Sequence, residues 1–352
     1  MTVLDDPAAL RAADPGGMLH LVTRLGDHCR EGYALGLSAR PLPEREGITS
    51  IVVCGMGGSA IAGDVVAALA APRLRLPVLT VRAPQLPEFC GPHTVVVASS
   101  YSGDTAETIS LFEEAVARGC RPIVVTAGGE LGRRAEELGI GRVIVPGGLM
   151  PRAAFGYLSL GALGALEAMG IVPAYAEDVE ESMEELAGVV SEAGPDVPQV
   201  SNPAKELAHS IGDRVPVVWG AEGIGAVAAT RWRCQFNENA KVPSFAAALP
   251  ELDHNEVVGW STGRGNGFAV IGLRHPGEHA DVTARFPPSL EIARNAGASV
   301  HEVQSRGRSE LARLLTLVQF GDLVSTYLGI VRGVDPSPIQ AIVNLKRALA
   351  QA

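Results

Sequence analysis

Short apolar runs alternate with stretches of helical periodicity through the first half of the chain. Five runs have the length of buried strands, and they lie at Ser50–Cys54, Val78–Val81, 95–98, 122–126 and 142–145. Segments with apolar residues at helical spacing predict helices near 16–40, 60–70, 106–115 and 131–138, and a buried helix at 153–166. Strands that alternate with helices imply a mostly parallel sheet that is covered on both faces.

The second half repeats this scheme. A buried run at 215–220 leads into a glycine-containing turn and a helix, echoing residues 51–60, and 268–272 matches the run at 95–98. A helix near 289–297 and a strand at 299–303 follow. We predict two tandem, doubly wound, three-layer α/β/α domains at residues 1–172 and 173–352, because Gly170 and Pro173 interrupt two helical patterns there.

Composition narrows the class of protein. The net charge of −10 argues against nucleic acid as a main partner. The N-terminal residues lack the pattern of a secretory signal, and the apolar stretch at 153–166 is shorter than the roughly 20 residues of a membrane span. Five scattered cysteines fit a reducing compartment rather than a disulfide framework or a zinc site. We therefore expect a cytoplasmic protein without a membrane partner.

Hydroxyl side chains are concentrated at residues 99–105, between a predicted strand and a predicted helix. The sequence there is Ser99-Ser100-Tyr101-Ser102-Gly103-Asp104-Thr105. Such a turn directs hydroxyls and free backbone N–H groups towards one place, which suits a phosphate. A helix cap would need only one such residue. The matching loop of the second half has Arg274 and His275 instead, so we expect only the first half to hold phosphate.

Asp104 needs its own explanation, since an inward carboxylate would repel a bound phosphate. We expect it to point outwards and to cap the helix that follows.

A glycine-rich turn follows the first strand, at Gly55-Met56-Gly57-Gly58-Ser59-Ala60. It fits a dinucleotide fingerprint, but Thr80-Val81-Arg82-Ala83 stands where that fingerprint requires an acidic residue. We therefore interpret Gly57 and Gly58 as allowing close approach of a phosphate, with Ser59 donating a hydrogen bond, and expect no nicotinamide cofactor.

The two loops together resemble the sugar isomerase (SIS) domain, and their doubled arrangement resembles the bifunctional phosphoglucose/phosphomannose isomerases. The resemblance implies tandem flavodoxin-like SIS domains and isomerisation of six-carbon sugar phosphates without metal or cofactor. It also implies a homodimer. The phosphate ligands would be Gly57, Gly58, Ser59, Ser100, Tyr101, Ser102 and Thr105.

The second half supplies three of the four catalytic candidates. On its residues alone, the stretch 231–241 is an amphipathic helix with Glu238 facing Lys241 on the surface. It resembles the family's N-E-N-x-K block, which implies that Glu238 is the proton-transferring base. The loop containing His254 resembles the H-N-E block, which implies ring opening by a histidine that reaches into the neighbouring subunit's site. Lys346 could simply compensate a helix dipole, but it resembles the lysine of the family's C-terminal segment.

Arg152 completes the set. It could be a surface charge before a helix, but Met150-Pro151-Arg152-Ala153 resembles the family segment whose arginine stabilises the intermediate. Glu238 would then carry the proton between C2 and C1, and Arg152 would offset charge on the enediol oxygens. Two alternatives remain open: a phosphosugar-binding regulatory protein without turnover, and an isomerase of another phosphosugar. The spaced pair His275 and His279 is a poor candidate for a metal site.

Overall fold

The computed structural model describes residues 3–349. Its strands are β1 (Ser50–Cys54), β2 (Val78–Val81), β3 (Thr94–Ser99), β4 (Arg121–Thr126), β5 (Arg142–Ile144), β6 (Val215–Ala221), β7 (Phe245–Leu249), β8 (Phe268–Arg274) and β9 (Ser299–Gln304). Its α-helices are α1 (Pro7–Ala13), α2 (Met18–Thr23), α3 (Leu25–Leu37), α4 (Gly58–Ala70), α5 (Ala106–Ala117), α6 (Gly129–Glu137), α7 (Phe155–Ala168), α8 (Ala176–Ala193), α9 (Pro203–Ile211), α10 (Ile224–Asn239), α11 (Glu256–Gly259), α12 (Ala280–Asn295), α13 (Glu310–Val331) and α14 (Gln340–Leu349).

Backbone packing divides the chain into two compact units. The first unit comprises Arg24–Ala187 and Gly307–Leu315, and the second comprises Gly188–Arg306 together with residues 3–23 and 316–349. This division does not coincide with the predicted boundary between residues 172 and 173. The sequence marks where helices are interrupted, at Gly170 and Pro173. A segment belongs to the core against which it packs, and helical periodicity does not identify that core.

The first unit contains a five-stranded parallel sheet in the order β2-β1-β3-β4-β5. Every residue of β1 and β3 is buried, as expected for strands covered on both faces. Val52 and Val96 pack in one core with residues of α5 and α6. On the opposite face, glycines of α4 and α7 lie against Val53 and Val125. The predicted three-layer α/β/α architecture is confirmed.

The second unit contains a four-stranded parallel sheet in the order β7-β6-β8-β9. This order matches that of β2-β1-β3-β4, which supports the duplication inferred from the sequence. β7 was missed in the sequence pattern because Phe245–Leu249 contains three alanines and no β-branched residue. The predicted helix at 289–297 is the second half of α12, which begins at Ala280 and continues through Pro287 and Pro288.

One helix passes a membrane-span test by length and composition. α13 has 22 residues and a mean hydropathy of 1.5 in its most apolar window. However, 89% of that window is buried within the structure, as in the core helix of a folded domain. The helix predicted at 153–166 is α7, in which every residue from Phe155 to Leu166 is buried.

Candidate active site

The two polar loops of the first unit lie together where the strand order reverses. α4 follows β1 and leads to β2 on one side, whereas α5 follows β3 and leads to β4 on the other. The carboxyl ends of β1 and β3 are therefore at the topological switch point, where doubly wound sheets bind their ligands. Gly55 permits this proximity, since a Cβ there would lie 2.6 Å from the carbonyl oxygen of Ser99.

The hydroxyl loop is held by its own side chains. Ser100 Oγ donates to Thr105 Oγ1 at 3.0 Å and accepts from the Gly103 backbone N–H at 3.2 Å. Thr105 occupies the N-cap position of α5 but forms no capping hydrogen bond with its side chain. The Thr105 side chain therefore does not cap α5. The N-terminus of α5 can direct backbone N–H groups towards an anion.

The glycine turn meets the hydroxyl loop through Ser59. The backbone N–H of Tyr101 donates to Ser59 Oγ at 3.3 Å, and Ser59 is buried. Gly57 is the N-cap of α4 with φ 54° and ψ −126°, a conformation that favours glycine. It has no capping side chain, so a second helix N-terminus is available at the same switch point.

Arg152 lies beside this turn. It belongs to a short 3-10 helix, Pro151–Ala154, and is only 2% exposed, so the interpretation as a surface charge is wrong. A Cβ on Gly58 would lie 3.5 Å from the Pro151 carbonyl oxygen and 3.7 Å from the Arg152 Cα. The backbone of Arg152 is thus adjacent to the start of α4.

The Tyr101 hydroxyl has partners away from the loop. It donates to the carbonyl oxygen of Pro146 at 2.9 Å and accepts from the Leu149 N–H at 2.8 Å. Burial raises the pKa of this phenol. Tyr101 was predicted as a phosphate ligand, but in the structure its hydroxyl binds the segment that leads to Arg152. It is the backbone of Tyr101 that contacts the phosphate-binding turns, through Ser59, and Ser102 follows it in the loop.

Sequence reasoning missed His28 of α3. It is buried, and its ring stacks on Tyr157 at 4.8 Å between centroids. Burial, followed by the charge of Arg24, lowers its pKa. Nothing local in the sequence distinguishes this histidine, because the ring on which it stacks is 129 positions away along the chain.

Asp104 points outwards, as expected, but it caps a different helix. Its Oδ1 accepts the backbone N–H of Glu130 at 2.9 Å, in the first turn of α6 rather than α5. The prediction of a cap on α5 is therefore wrong. The sequence shows only the next helix along the chain, whereas the fold brings α6 beside this loop.

The equivalent loop of the second unit contains a carboxylate of its own. The Glu278 side chain, 2% exposed, accepts from the His275 N–H at 2.8 Å and from Arg274 Nη2 at 2.9 Å. α12 is also capped by His279, which accepts from Asp281 N–H. The sequence shows that this second loop lacks the hydroxyls of the first. The structure shows that it holds the carboxylate of Glu278.

Glu238 lies in the last turn of α10, on a helix that is anchored by its neighbours. Trp232, Phe236 and Ala240 form the predicted apolar face and are buried. The adjacent face formed by Arg231, Gln235 and Asn239 is also buried, whereas Asn237 is exposed, so the solvated face is narrow. Asn239 Nδ2 donates to Ser325 Oγ at 3.0 Å and Asn237 Oδ1 accepts from Ser244 N–H at 3.1 Å, so both asparagines of the block support the helix end.

His254 ends a 3-10 helix, Glu251–His254, that follows β7, and its side chain is exposed. The preceding residue is fixed: Asp253 accepts from Ser289 Oγ at 2.7 Å and pairs with Arg285 at 3.2 Å. Lys346 is exposed on α14. Among residues 3–349, no three His, Cys, Asp or Glu side chains form a group that could hold a metal ion.

Comparison with known proteins identifies the family. Residues 200–349 match the model of the bacterial phospho-glucose isomerase C-terminal SIS domain. The bifunctional phosphoglucose/phosphomannose isomerase of Caldicellulosiruptor bescii is 32% identical over 336 residues, covering 95% of this chain and 99% of that protein. The chain belongs to the bifunctional phosphoglucose/phosphomannose isomerase family.

Another curated protein and a solved structure are also similar over most of the chain. A D-glucosamine-6-phosphate 4-epimerase of Sulfolobus acidocaldarius is 30% identical and covers 76% of this chain and 83% of that protein. A solved structure of a glucose-6-phosphate isomerase like protein from Thermus thermophilus has a TM-score of 0.60 at 21% identity and covers 99% of each chain. The structural likeness concerns the fold alone. The tandem SIS architecture predicted from the two loops and their repeated strand–helix scheme is confirmed.

Proposed function

We propose that this chain interconverts glucose 6-phosphate and mannose 6-phosphate with fructose 6-phosphate. The reaction is an aldose–ketose isomerisation through a cis-enediol or enediolate. Membership of the isomerase family over 95% of the chain carries the proposal. It is supported by the phosphate loops and Arg152 of the first unit, and by Glu238, His254 and Lys346 of the second.

The phosphate is the group that orients the substrate. In the proposal it binds at the carboxyl ends of β1 and β3 through Gly57, Gly58, Ser59, Ser100, Ser102 and Thr105. Two helix N-termini without side-chain caps support this assignment, because their N–H groups and dipoles favour an anion. Binding energy from this non-reacting group then positions the reacting carbons.

The chemistry is a sequence of proton transfers. His254, with Lys346, moves a proton between the anomeric hydroxyl and the ring oxygen, which opens the ring. Glu238 removes the proton from C2 and returns it to C1, and Arg152 offsets the negative charge on the enediol oxygens. The hydrogen moves as a proton, so the reaction has no step that requires a nicotinamide or a metal. Glucose and mannose phosphates differ at C2, and rotation of the open chain would present either face to one base.

The proposal includes a cytoplasmic homodimer in which His254 enters the neighbouring subunit's site. Two observations support a partner copy. The His254 side chain is exposed, and α14 has an exposed apolar row formed by Ile342, Leu345 and Leu349. Burial of such a row against another copy would remove apolar surface from water.

The decisive experiment measures turnover of fructose 6-phosphate, with glucose 6-phosphate and mannose 6-phosphate quantified separately, in the native chain, Glu238→Gln and Glu291→Gln. Loss of the base should lower kcat by about 10² to 10⁴-fold. Glu291→Gln is the matched control, since Glu291 lies in an exposed ion pair on α12. Tight binding of sugar phosphates without turnover by the native chain would favour the regulatory alternative. Turnover unaffected by Glu238→Gln would refute the assignment of the base.

Because one relative is a D-glucosamine-6-phosphate 4-epimerase, glucosamine 6-phosphate is tested as a further substrate in the same assay. Glucosamine 6-phosphate should be converted much more slowly than fructose 6-phosphate, and the reverse order would favour a different phosphosugar as the natural substrate. Ser102→Ala should raise KM with little change in kcat, because a phosphate contact is made equally in the ground and transition states. Ser110→Ala, on an exposed position of α5, is its control.

A further inference from the structure

Lys241 has an unusual backbone conformation two residues after the end of α10. Its φ is 54°, and among residues 3–349 it is the one residue other than glycine with a positive φ. A residue with a Cβ is disfavoured in this region, where glycine and asparagine are the ordinary occupants. Such outliers persist where the surrounding structure requires them, and they cluster at functional sites.

The lysine amine joins two backbone segments of the second unit. Nζ donates to the carbonyl oxygen of Glu238 at 2.5 Å and to that of Pro336 at 2.9 Å. The Glu238 carbonyl is in the last turn of α10, where carbonyls lack partners within the helix. The sequence suggested a surface pair between the two side chains, and the structure shows that the lysine amine also binds the backbone of Glu238.

The segment on the other side of the amine leads to α14. Pro336 and Ser337 are buried, and the Ser337 N–H donates to Asp335 Oδ1 at 2.9 Å in a tight turn. Three residues later α14 begins, and it carries Lys346. The amine of Lys241 therefore lies between the helix that presents Glu238 and the segment that presents Lys346.

We propose that Lys241 is a positioning residue for Glu238. Its left-handed backbone turns the side chain back along α10, and its amine fixes the Glu238 carbonyl against the Pro336 carbonyl. The position of the carboxylate is then set with respect to the 335–337 turn. This inference rests on the proposed function, because it assigns Glu238 the role of the base.

The test compares three substitutions with one control. Lys241→Met keeps the aliphatic stem and removes the amine. Lys241→Gly also removes the amine, and it relieves the backbone strain of the positive φ. Lys241→Arg supplies a planar cation of different reach. Arg332→Met is the control, because Arg332 also donates to two backbone carbonyls, those of Gly212 and Arg214. Each variant is assayed for kcat and KM with fructose 6-phosphate, for thermal midpoint and for hydrogen exchange of peptides covering 335–349.

Lys241→Met and Lys241→Gly should lower kcat by about 10 to 100-fold, the order expected when a reacting group is displaced by about 1 Å. KM should change little, and exchange in 335–349 should increase. Lys241→Arg should retain a kcat between that of Lys241→Met and that of the native chain. Arg332→Met should lower the thermal midpoint while leaving kcat unchanged.

Two failures are distinguishable. If the native chain turns over no sugar phosphate, the proposed function fails, and the role of Lys241 as a positioning residue for the base fails with it. If the native chain is active and Lys241→Met keeps its kcat, the proposed function stands and this inference is overturned. A fall in thermal midpoint and active fraction at unchanged kcat per folded molecule would likewise overturn it, because that pattern indicates a structural role alone.

Discussion

Arg231 and Asp322 form a buried, bidentate ion pair between α10 and α13. Nε lies 3.1 Å from Oδ1 and Nη2 lies 2.8 Å from Oδ2, and the two side chains are 1% and 5% exposed. The planar guanidinium matches the carboxylate in this geometry. The pair fixes the middle of the helix whose last turn carries Glu238.

Removal of one partner should be costly. Asp322→Ala leaves a guanidinium buried without its counter-ion, and we expect the free energy of unfolding to fall by about 3–5 kcal/mol. Urea unfolding monitored by circular dichroism measures this change. Glu180→Gln is the control, because it breaks the pair with Arg30, whose members are 66% and 54% exposed, and should change stability by less than about 1 kcal/mol. Equal effects of the two substitutions would contradict the prediction.

The Tyr101 hydroxyl connects the hydroxyl loop to the segment before Arg152. Tyr101→Phe keeps the ring and removes the bonds to Pro146 and Leu149. If the hydroxyl supports the Arg152 segment, kcat should fall, by about tenfold, while KM for fructose 6-phosphate stays near the native value. A rise in KM at constant kcat would instead favour the original assignment of the hydroxyl to the phosphate. Steady-state kinetics separate the two outcomes.

Glu278 provides a test of why only one loop of each chain would bind phosphate. Its carboxylate accepts hydrogen bonds from backbone and guanidinium donors of the second loop. Glu278→Ala should therefore lower the thermal midpoint and leave donors that an anion can use. Inorganic phosphate should raise the midpoint of Glu278→Ala more than that of the native chain, since a ligand stabilises the state it binds.

Glu302→Gln is the matched control for that experiment, because Glu302 pairs with Arg274 from an exposed position. It should show no added response to phosphate. The same phosphate response in all three proteins would mean that Glu278 does not occupy an anion site.

The buried His28 and the half-buried His301 predict loss of stability in mild acid. Burial is the main cause that lowers the pKa of His28 and of His301 below the ordinary 6.5, and a nearby arginine acts in the same direction on each. Between the folded pKa and 6.5 the unfolded chain binds more protons than the folded chain. The free energy of unfolding should therefore fall as the pH is lowered through 6.5, by at most about 1.4 kcal/mol per pH unit for each histidine.

Urea unfolding at pH 7.5 and pH 5.5 measures this slope. His28→Asn and His301→Asn should each reduce the difference between the two pH values, whatever their effect on stability at pH 7.5. His93→Asn, at an exposed position, should leave the difference unchanged. An unaltered slope in both His28→Asn and His301→Asn would refute the prediction.

Much of the fold could be predicted because the signals are local. β1 and β2 were predicted at their observed bounds, since both are short runs rich in β-branched residues. The alanine-rich β7 was missed because alanine has a low strand propensity. The first half of α12 was missed because the helix contains Pro287 and Pro288, and proline is unfavourable in a helix interior.

The same contrast between local and long-range features applies to the candidate site. The phosphate loops were found from residue type and from their position between a strand and a helix, and Glu238, His254, Lys346 and Arg152 from resemblance to family motifs. The partners of these residues were not found. The Tyr101 hydroxyl meets residues 45 and 48 positions away, and the carbonyl of Pro336 is 95 positions from Lys241.

The sequence by itself determined the tandem doubly wound architecture, the family and the residues on which the chemistry is proposed to rest. Those features depend on periodicity and on short motifs, which are properties of neighbouring residues. The tertiary structure alone decided that Asp104 caps α6, that Glu278 occupies the second loop and that Lys241 binds the backbone of Glu238. The Asp104 bond joins residues 26 positions apart that packing brings together, whereas the other two join residues three positions apart and depend on turn conformations that the residue pattern does not show. Side-chain donors and acceptors bind whatever group the fold brings within about 3 Å.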